Sequence, residues 1–140
     1  MTVAREAAPE LLGPFTWTVT QAQIDAYAAA AGANDPIHVD PATAAATPLG
    51  GTIAQGMLVL AVMAEFVGSA LDDDEAWRGS GALDVRFRAP ARPGDRLVVR
   101  AKRIATRADN VATYELWCEN AAGVRIVDGT AAIPLAAFSC

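Results

Sequence analysis

The chain contains a single histidine, His38. It stands in the stretch Ala31-Gly32-Ala33-Asn34-Asp35-Pro36-Ile37-His38-Val39-Asp40, with the carboxylates Asp35 and Asp40 and the amide Asn34 within four residues of it. An imidazole titrates near neutrality, so it can take a proton from water and return it within one turnover. A neighbouring carboxylate such as Asp35 would orient the ring or share the proton transfer. The same residues also have bland uses. Asn and Asp-Pro are ordinary turn formers, Asp40 before Pro41 is a natural helix cap, and a lone histidine can be a satisfied loop residue.

Other chemistries have less to work with. Cys118 and Cys140 show no CxxC or metal-ligand spacing, so neither a redox pair nor a metal centre is expected. No cofactor is expected either. The formal net charge of −5 argues against nucleic acid and anionic membrane surfaces as partners. A basic cluster from Arg86 to Arg107 alternates along two strand-like runs and reads first as a solvated face. The longest apolar run, Met57 to Ala64, is far short of the roughly 20 residues of a membrane span. With no secretory pattern at Met1-Thr2-Val3-Ala4-Arg5-Glu6, a reduced, cytoplasmic setting is expected.

The 140 residues, 53 % apolar and 19 % charged, suit one well-packed domain spanning 1–140. Residues 1–14 read as an irregular lead-in, with Pro9, Gly13 and Pro14 as breakers. Phe15 to Val19 alternates like a short strand. Thr20-Gln21-Ala22-Gln23 has the capping-box pattern, Ile24, Tyr27, Ala28 and Ala31 follow at helical spacing, and Gly32 is a suitable stop. The histidine stretch is thus expected as a loop hung on a helix end. Asp40-Pro41 starts a second short helix over residues 42–46. Ile53 to Val67 is apolar on nearly every side and too long for a strand, so it predicts a helix buried all round. An acidic turn over Asp72 to Glu75 follows. Strands are then predicted over 82–89, 96–106, 111–119 and 124–135, joined by Pro93-Gly94, Asp109-Asn110 and Asn120 to Gly123. A single apolar helix in such a set belongs inside a curved antiparallel sheet, an α+β arrangement.

Four blocks in this order resemble the MaoC-like, (R)-specific enoyl-CoA hydratase family of hot-dog-fold proteins. They are Tyr27 to Gly32 with Pro36-Ile37-His38-Val39-Asp40-Pro41; Gly50 to Ala54; Gly56-Met57-Leu58; and Val85-Arg86-Phe87 through Pro93-Gly94-Asp95. The resemblance spans about residues 15–135. It implies a long helix wrapped by a curved antiparallel sheet and reversible water addition to an acyl thioester carried on coenzyme A or an acyl carrier protein. It also implies a homodimer, or a heterodimer with a second hot-dog chain, with the tunnel near the subunit interface.

Carried over by motif, the histidine is His38, and Gly56 is the glycine whose N–H receives the thioester oxygen. The family's aspartate position is Ala33 here and its asparagine position is Asp35. Gln55 stands where many members have histidine. The expected catalytic set is therefore His38, Asp35 and Gly56, with Asn34, Gln55 and Ile53 as substrate contacts. The change at Ala33 keeps a second possibility open, a repurposed or tunnel-shaping partner subunit, or a tailoring enzyme. A hot-dog thioesterase is less well matched, because the long helix offers only Glu65 as a carboxylate. Trp17, Tyr27, Trp77 and Trp117 read as packing, with Trp77 also placed to stand at a tunnel rim. Basic side chains near the tunnel mouth would suit the carrier phosphates.

Overall fold

A computed structural model describes residues 8–138. Strand β1 (Leu11–Thr18) leads into helix α1 (Gln21–Ala31), and two short helices follow, α2 (Pro36–Val39) and α3 (Pro41–Ala45). The long helix α4 (Gly56–Ser69) and the short α5 (Asp74–Ser80) precede strands β2 (Ala82–Phe87), β3 (Arg96–Thr106), β4 (Val111–Glu119) and β5 (Arg125–Pro134). A 3-10 turn, Leu135–Phe138, closes the described chain. The strands form one antiparallel sheet in the order β1-β3-β4-β5-β2. This is the α+β architecture expected from the sequence.

One sheet face carries the core. Alternation along β4 buries Ala112, Tyr114, Leu116 and Cys118. Register then stacks Val99, Cys118 and Val127 across three strands. Helix α4 lies against this face through Val59, Met63 and Val67, one stripe at four-residue spacing. Phe66 adds a stack on Phe15 of β1, ring centroids 5.2 Å apart. The sheet covers this side of the helix alone. Met57 is 59 % exposed, and Ala61 and Glu65 are exposed as well, so α4 is not buried all round within a single chain.

Several boundaries differ from expectation. Strand β1 begins at Leu11 rather than Phe15, because Gly13 and Pro14 form a bulge within the pairing to β3 instead of breaking it. The expected lead-in is thus strand in its last part, while residues 1–7 lie outside the described residues. The predicted cap of α1 is present: Thr20 Oγ1 accepts from Gln23 N, Gln23 Oε1 accepts from Thr20 N, and Gly32 ends the helix at φ +69°. The acidic turn is instead the start of α5, capped by Asp73. Trp77 of that helix is buried against Gly68 and donates through Nε1 to Ala64 O at 3.2 Å. It fastens α5 to α4 and does not line the cavity described below.

Candidate active site

Two pieces of chain run side by side at the start of α4: the turn carrying His38 and the strap Thr52 to Gln55. Ile53 N donates to Ile37 O at 3.1 Å, and His38 Nδ1 lies 2.8 Å from Ile53 O. A carbonyl oxygen only accepts, so Nδ1 carries the proton and Nε2 of the neutral ring keeps its lone pair. The turn is held from a second side. Gln21 Nε2 donates to His38 O at 2.8 Å, and Gln21 Oε1 accepts from the Thr52 hydroxyl at 2.7 Å. Half-buried His38 is therefore fixed through both its backbone and its ring.

His38 stands on helix rather than on a loop. Asp35 caps α2, Oδ1 accepting from Ile37 N at 3.1 Å, and Pro36 fills the first helical position. Asp35 is exposed, and no hydrogen bond between its carboxylate and the His38 ring occurs among the described residues. Asp40 caps α3 through Thr43 N and the Thr43 hydroxyl, and the hydroxyl chiefly holds its carboxyl below the usual range. Asn34 is exposed. Asparagine caps as well as aspartate does, so Asp35→Asn is expected to leave the melting temperature near that of the wild type. Turnover within about threefold of wild type would assign Asp35 to shaping the turn; a much larger loss would make its charge part of the chemistry.

Gln55 is 4 % exposed and reaches back from the strap. Its Nε2 donates to Ile24 O at 3.1 Å and to Ala33 O at 3.2 Å. Two carbonyl acceptors fix which end of the amide is nitrogen. Its Oε1 is buried and meets no donor among the described residues, an arrangement that costs about 1–3 kcal/mol when left so.

Gly56 is the first residue of α4, where backbone N–H groups have no intrahelical acceptor and the helix dipole favours negative charge. A Cβ there would stand 3.0 Å from the Phe87 ring, so the glycine also permits that ring to close over the helix start. Ile53, Gly56, Val59, Phe87 and Arg88 help to line a mainly apolar cavity of about 350 Å³. Its far wall is tied to the strap by Ala54 N donating to Ala91 O at 2.7 Å. The His38 ring is outside this lining, but Ile53, which holds the ring, is part of it.

The structure thus gathers His38, Ile53, Gln55 and Gly56 along one strap and leaves Asp35 and Asn34 at the surface. Gln21, Thr52 and Phe87 are added to the expected set. Gln21 had shown only as part of a capping box, and Phe87 only as part of the Val85-Arg86-Phe87 block; Arg88 had stood among many arginines. Arg88 pairs with Asp128 at 3.0 Å and Arg100 with Glu119 at 3.8 Å, so part of the basic cluster is an exposed strand face with local partners. Cys118 is no nucleophile. Burial, and then the Glu119 charge, push its thiol up to about 12. Cys140 lies outside the described residues.

The family described as MaoC like domain matches residues 8–120. The chain is 47 % identical over 58 residues to 3-hydroxyacyl-thioester dehydratase Z of Mycobacterium tuberculosis, a match covering 41 % of this chain and 38 % of that protein. It is 35 % identical over 119 residues to nodulation protein N of Rhizobium leguminosarum bv. viciae, covering 77 % of this chain and 73 % of the relative. Among solved structures, the unliganded R-hydratase PhaJ1 of Pseudomonas aeruginosa superposes with a TM-score of 0.76 at 27 % identity, over 87 % of this chain and 79 % of that one. The arrangement of one long helix against an antiparallel sheet is thus the hot-dog fold.

Proposed function

Because the chain belongs to the MaoC-like domain family, we propose that it hydrates enoyl thioesters, or dehydrates 3-hydroxyacyl thioesters, at the strap joining His38 to α4. One observation carries the reading: the Ile53 carbonyl holds His38 at Nδ1, with no partner on Nε2 among the described residues, beside a helix start that walls an apolar cavity. In the hydration direction, Nε2 removes a proton from water as its oxygen bonds to Cβ of the enoyl group. The double-bond electrons move onto the thioester oxygen, which the Gly56 N–H receives, and the proton then passes to Cα. Asp35 would act on His38 through the turn it caps. The lining from Ile53 to Phe87 suits an acyl or pantetheine chain, and Arg88 at the cavity suits a carrier phosphate.

The carrier would be coenzyme A or an acyl carrier protein, in a cytoplasmic setting. Among the described residues, no helix is long and apolar enough to cross a membrane. The working unit would be a dimer of this chain, or of this chain with a second hot-dog chain. β2 is an edge strand, and Met57 and Phe87, 59 % and 52 % exposed, lie at the start of α4 and the end of β2.

Incubation with crotonyl-CoA and longer enoyl-CoAs tests the reading. Loss of enoyl absorbance with formation of 3-hydroxyacyl-CoA is expected. No turnover at any chain length, on either carrier, would refute it. Ala33 and the surface position of Asp35 favour a second reading, a subunit that shapes the tunnel for an active partner chain. Turnover by the purified chain alone would exclude that one.

A further inference from the structure

We propose that the Phe87 ring selects among acyl thioesters: it walls the space beside the Gly56 N–H, so that acyl groups with hydrogen at Cα fit and acyl groups branched at Cα do not. This rests on the reading of the site as an acyl-thioester hydratase with the thioester oxygen on Gly56, and it adds a residue that determines specificity.

Leu83 and Val85 pack against the core, and alternation along β2 sends Phe87 to the same face. β2 is an edge strand, and Phe87 at its end is only half covered. The ring reaches the start of α4. The three atoms nearest to a Cβ added at Gly56 are all carbons of this ring, Cε1 at 3.0 Å and Cδ1 and Cζ at 3.3 Å. A hydrogen fits at that point, whereas a methyl group would already be crowded. Gly56 and Val59 stand three residues apart on one face of α4, and both line the cavity together with Phe87. The ring therefore closes the Gly56 end of a slot that runs along the helix toward Val59.

Packing alone does not account for the ring. The neighbouring strands bury their inward side chains, whereas Phe87 keeps 52 % of its surface exposed and sets its contact on a glycine.

A thioester carbonyl carbon holds oxygen, sulfur and Cα in one plane. With the oxygen on the Gly56 N–H, the rest of that plane lies beside the ring, because the crowded point is only two bonds from the nitrogen. Sulfur is common to every substrate and cannot tell one from another. Cα can: it bears hydrogen in a straight-chain enoyl thioester and a methyl group in a branched one. Conjugation with the carbonyl keeps that methyl group in the plane, so it cannot turn away from the ring. One carbon more or less in an apolar pocket changes kcat/KM by about 10–200-fold, enough to separate the two substrate classes.

The test compares crotonyl-CoA with 2-methylcrotonyl-CoA, read as the ratio of their kcat/KM values within each variant. Both substrates meet the same protein population, so any loss of folding or of chain pairing cancels from the ratio. Their intrinsic difference in reactivity is the same in every variant. Phe87→Ala is expected to lower the preference for crotonyl-CoA by about 10–200-fold, and Phe87→Leu, which keeps the strand end apolar, to lower it by less. Met57→Ala removes an exposed apolar side chain next to Gly56 that does not line the cavity, and is expected to leave the preference within about threefold of wild type. An unchanged preference in both Phe87 variants, or an equal fall in Met57→Ala, would overturn the assignment and leave the hydratase reading standing. A wild-type chain that turns over no enoyl thioester would remove both.

Discussion

Replacing His38 with alanine is expected to lower kcat/KM for enoyl-thioester hydration by about 10²–10⁴-fold, the range for loss of a positioned acid–base group. The fold should tolerate the change. His38 is half-buried, and among the described residues its ring makes one hydrogen bond, to Ile53 O, with a net worth of about 0.5–1.5 kcal/mol. The turn keeps the Gln21–His38 carbonyl bond and the Asp35 cap, which do not use the ring. A melting temperature near that of the wild type, beside near-complete loss of turnover, is the expected pair of results. His38→Ala with full activity would remove His38 from the chemistry.

The largest expected effect on stability lies at Gly129, opposite Val85 in the pairing of β5 with β2. A Cβ added there would stand 2.0 Å from Asp84 O and 2.7 Å from Val85 Cα. Both are backbone atoms, so no side-chain rotation relieves the clash, and the edge strand itself must move. Gly129→Ala is expected to destabilise by about 1–3 kcal/mol, the range for overpacking, read as a lower urea midpoint at unchanged slope. β2 ends in Phe87, which with Arg88 lines the cavity, so KM should rise with it, most for long acyl chains. Gly79→Ala is the control. A Cβ there meets nothing within 4 Å, and alanine is the better helix former on α5.

What the sequence made legible was whatever is decided within a few residues. The Thr20–Gln23 cap, the Gly32 stop, the alternation along β4 and the lone histidine before a glycine-led apolar helix are local patterns, and the structure keeps them. What it hid is decided by distant contacts. α5 spans 7 residues and reads as an acidic turn until Trp77 is seen packed on Gly68 and bonded to Ala64 O. Gly13-Pro14 looks like a break until β3 is seen to pair on both sides of it. At the candidate site, the lone His38 stood out in the sequence and Gly56 through the family resemblance; the structure shows them on α2 and at the first residue of α4. The surroundings of Gln55 were not legible, because its partners lie 31 and 22 residues away along the chain. The position of Asp35 shows the same limit: a carboxylate near a histidine in sequence here turns to its own backbone, since a helix start two residues on offers it an amide.

The bond from His38 Nδ1 to the Ile53 carbonyl reaches past stability into stereochemistry. A ring pinned at Nδ1 cannot exchange tautomers during turnover, so the nitrogen that collects the proton is also the one that delivers it. Under the hydratase reading, oxygen reaches Cβ from the side on which Nε2 stands, and hydrogen reaches Cα from that side too. Addition on one face of the double bond would then follow from a single backbone carbonyl, and the face that the bound acyl chain turns to Nε2 would set the handedness of the product.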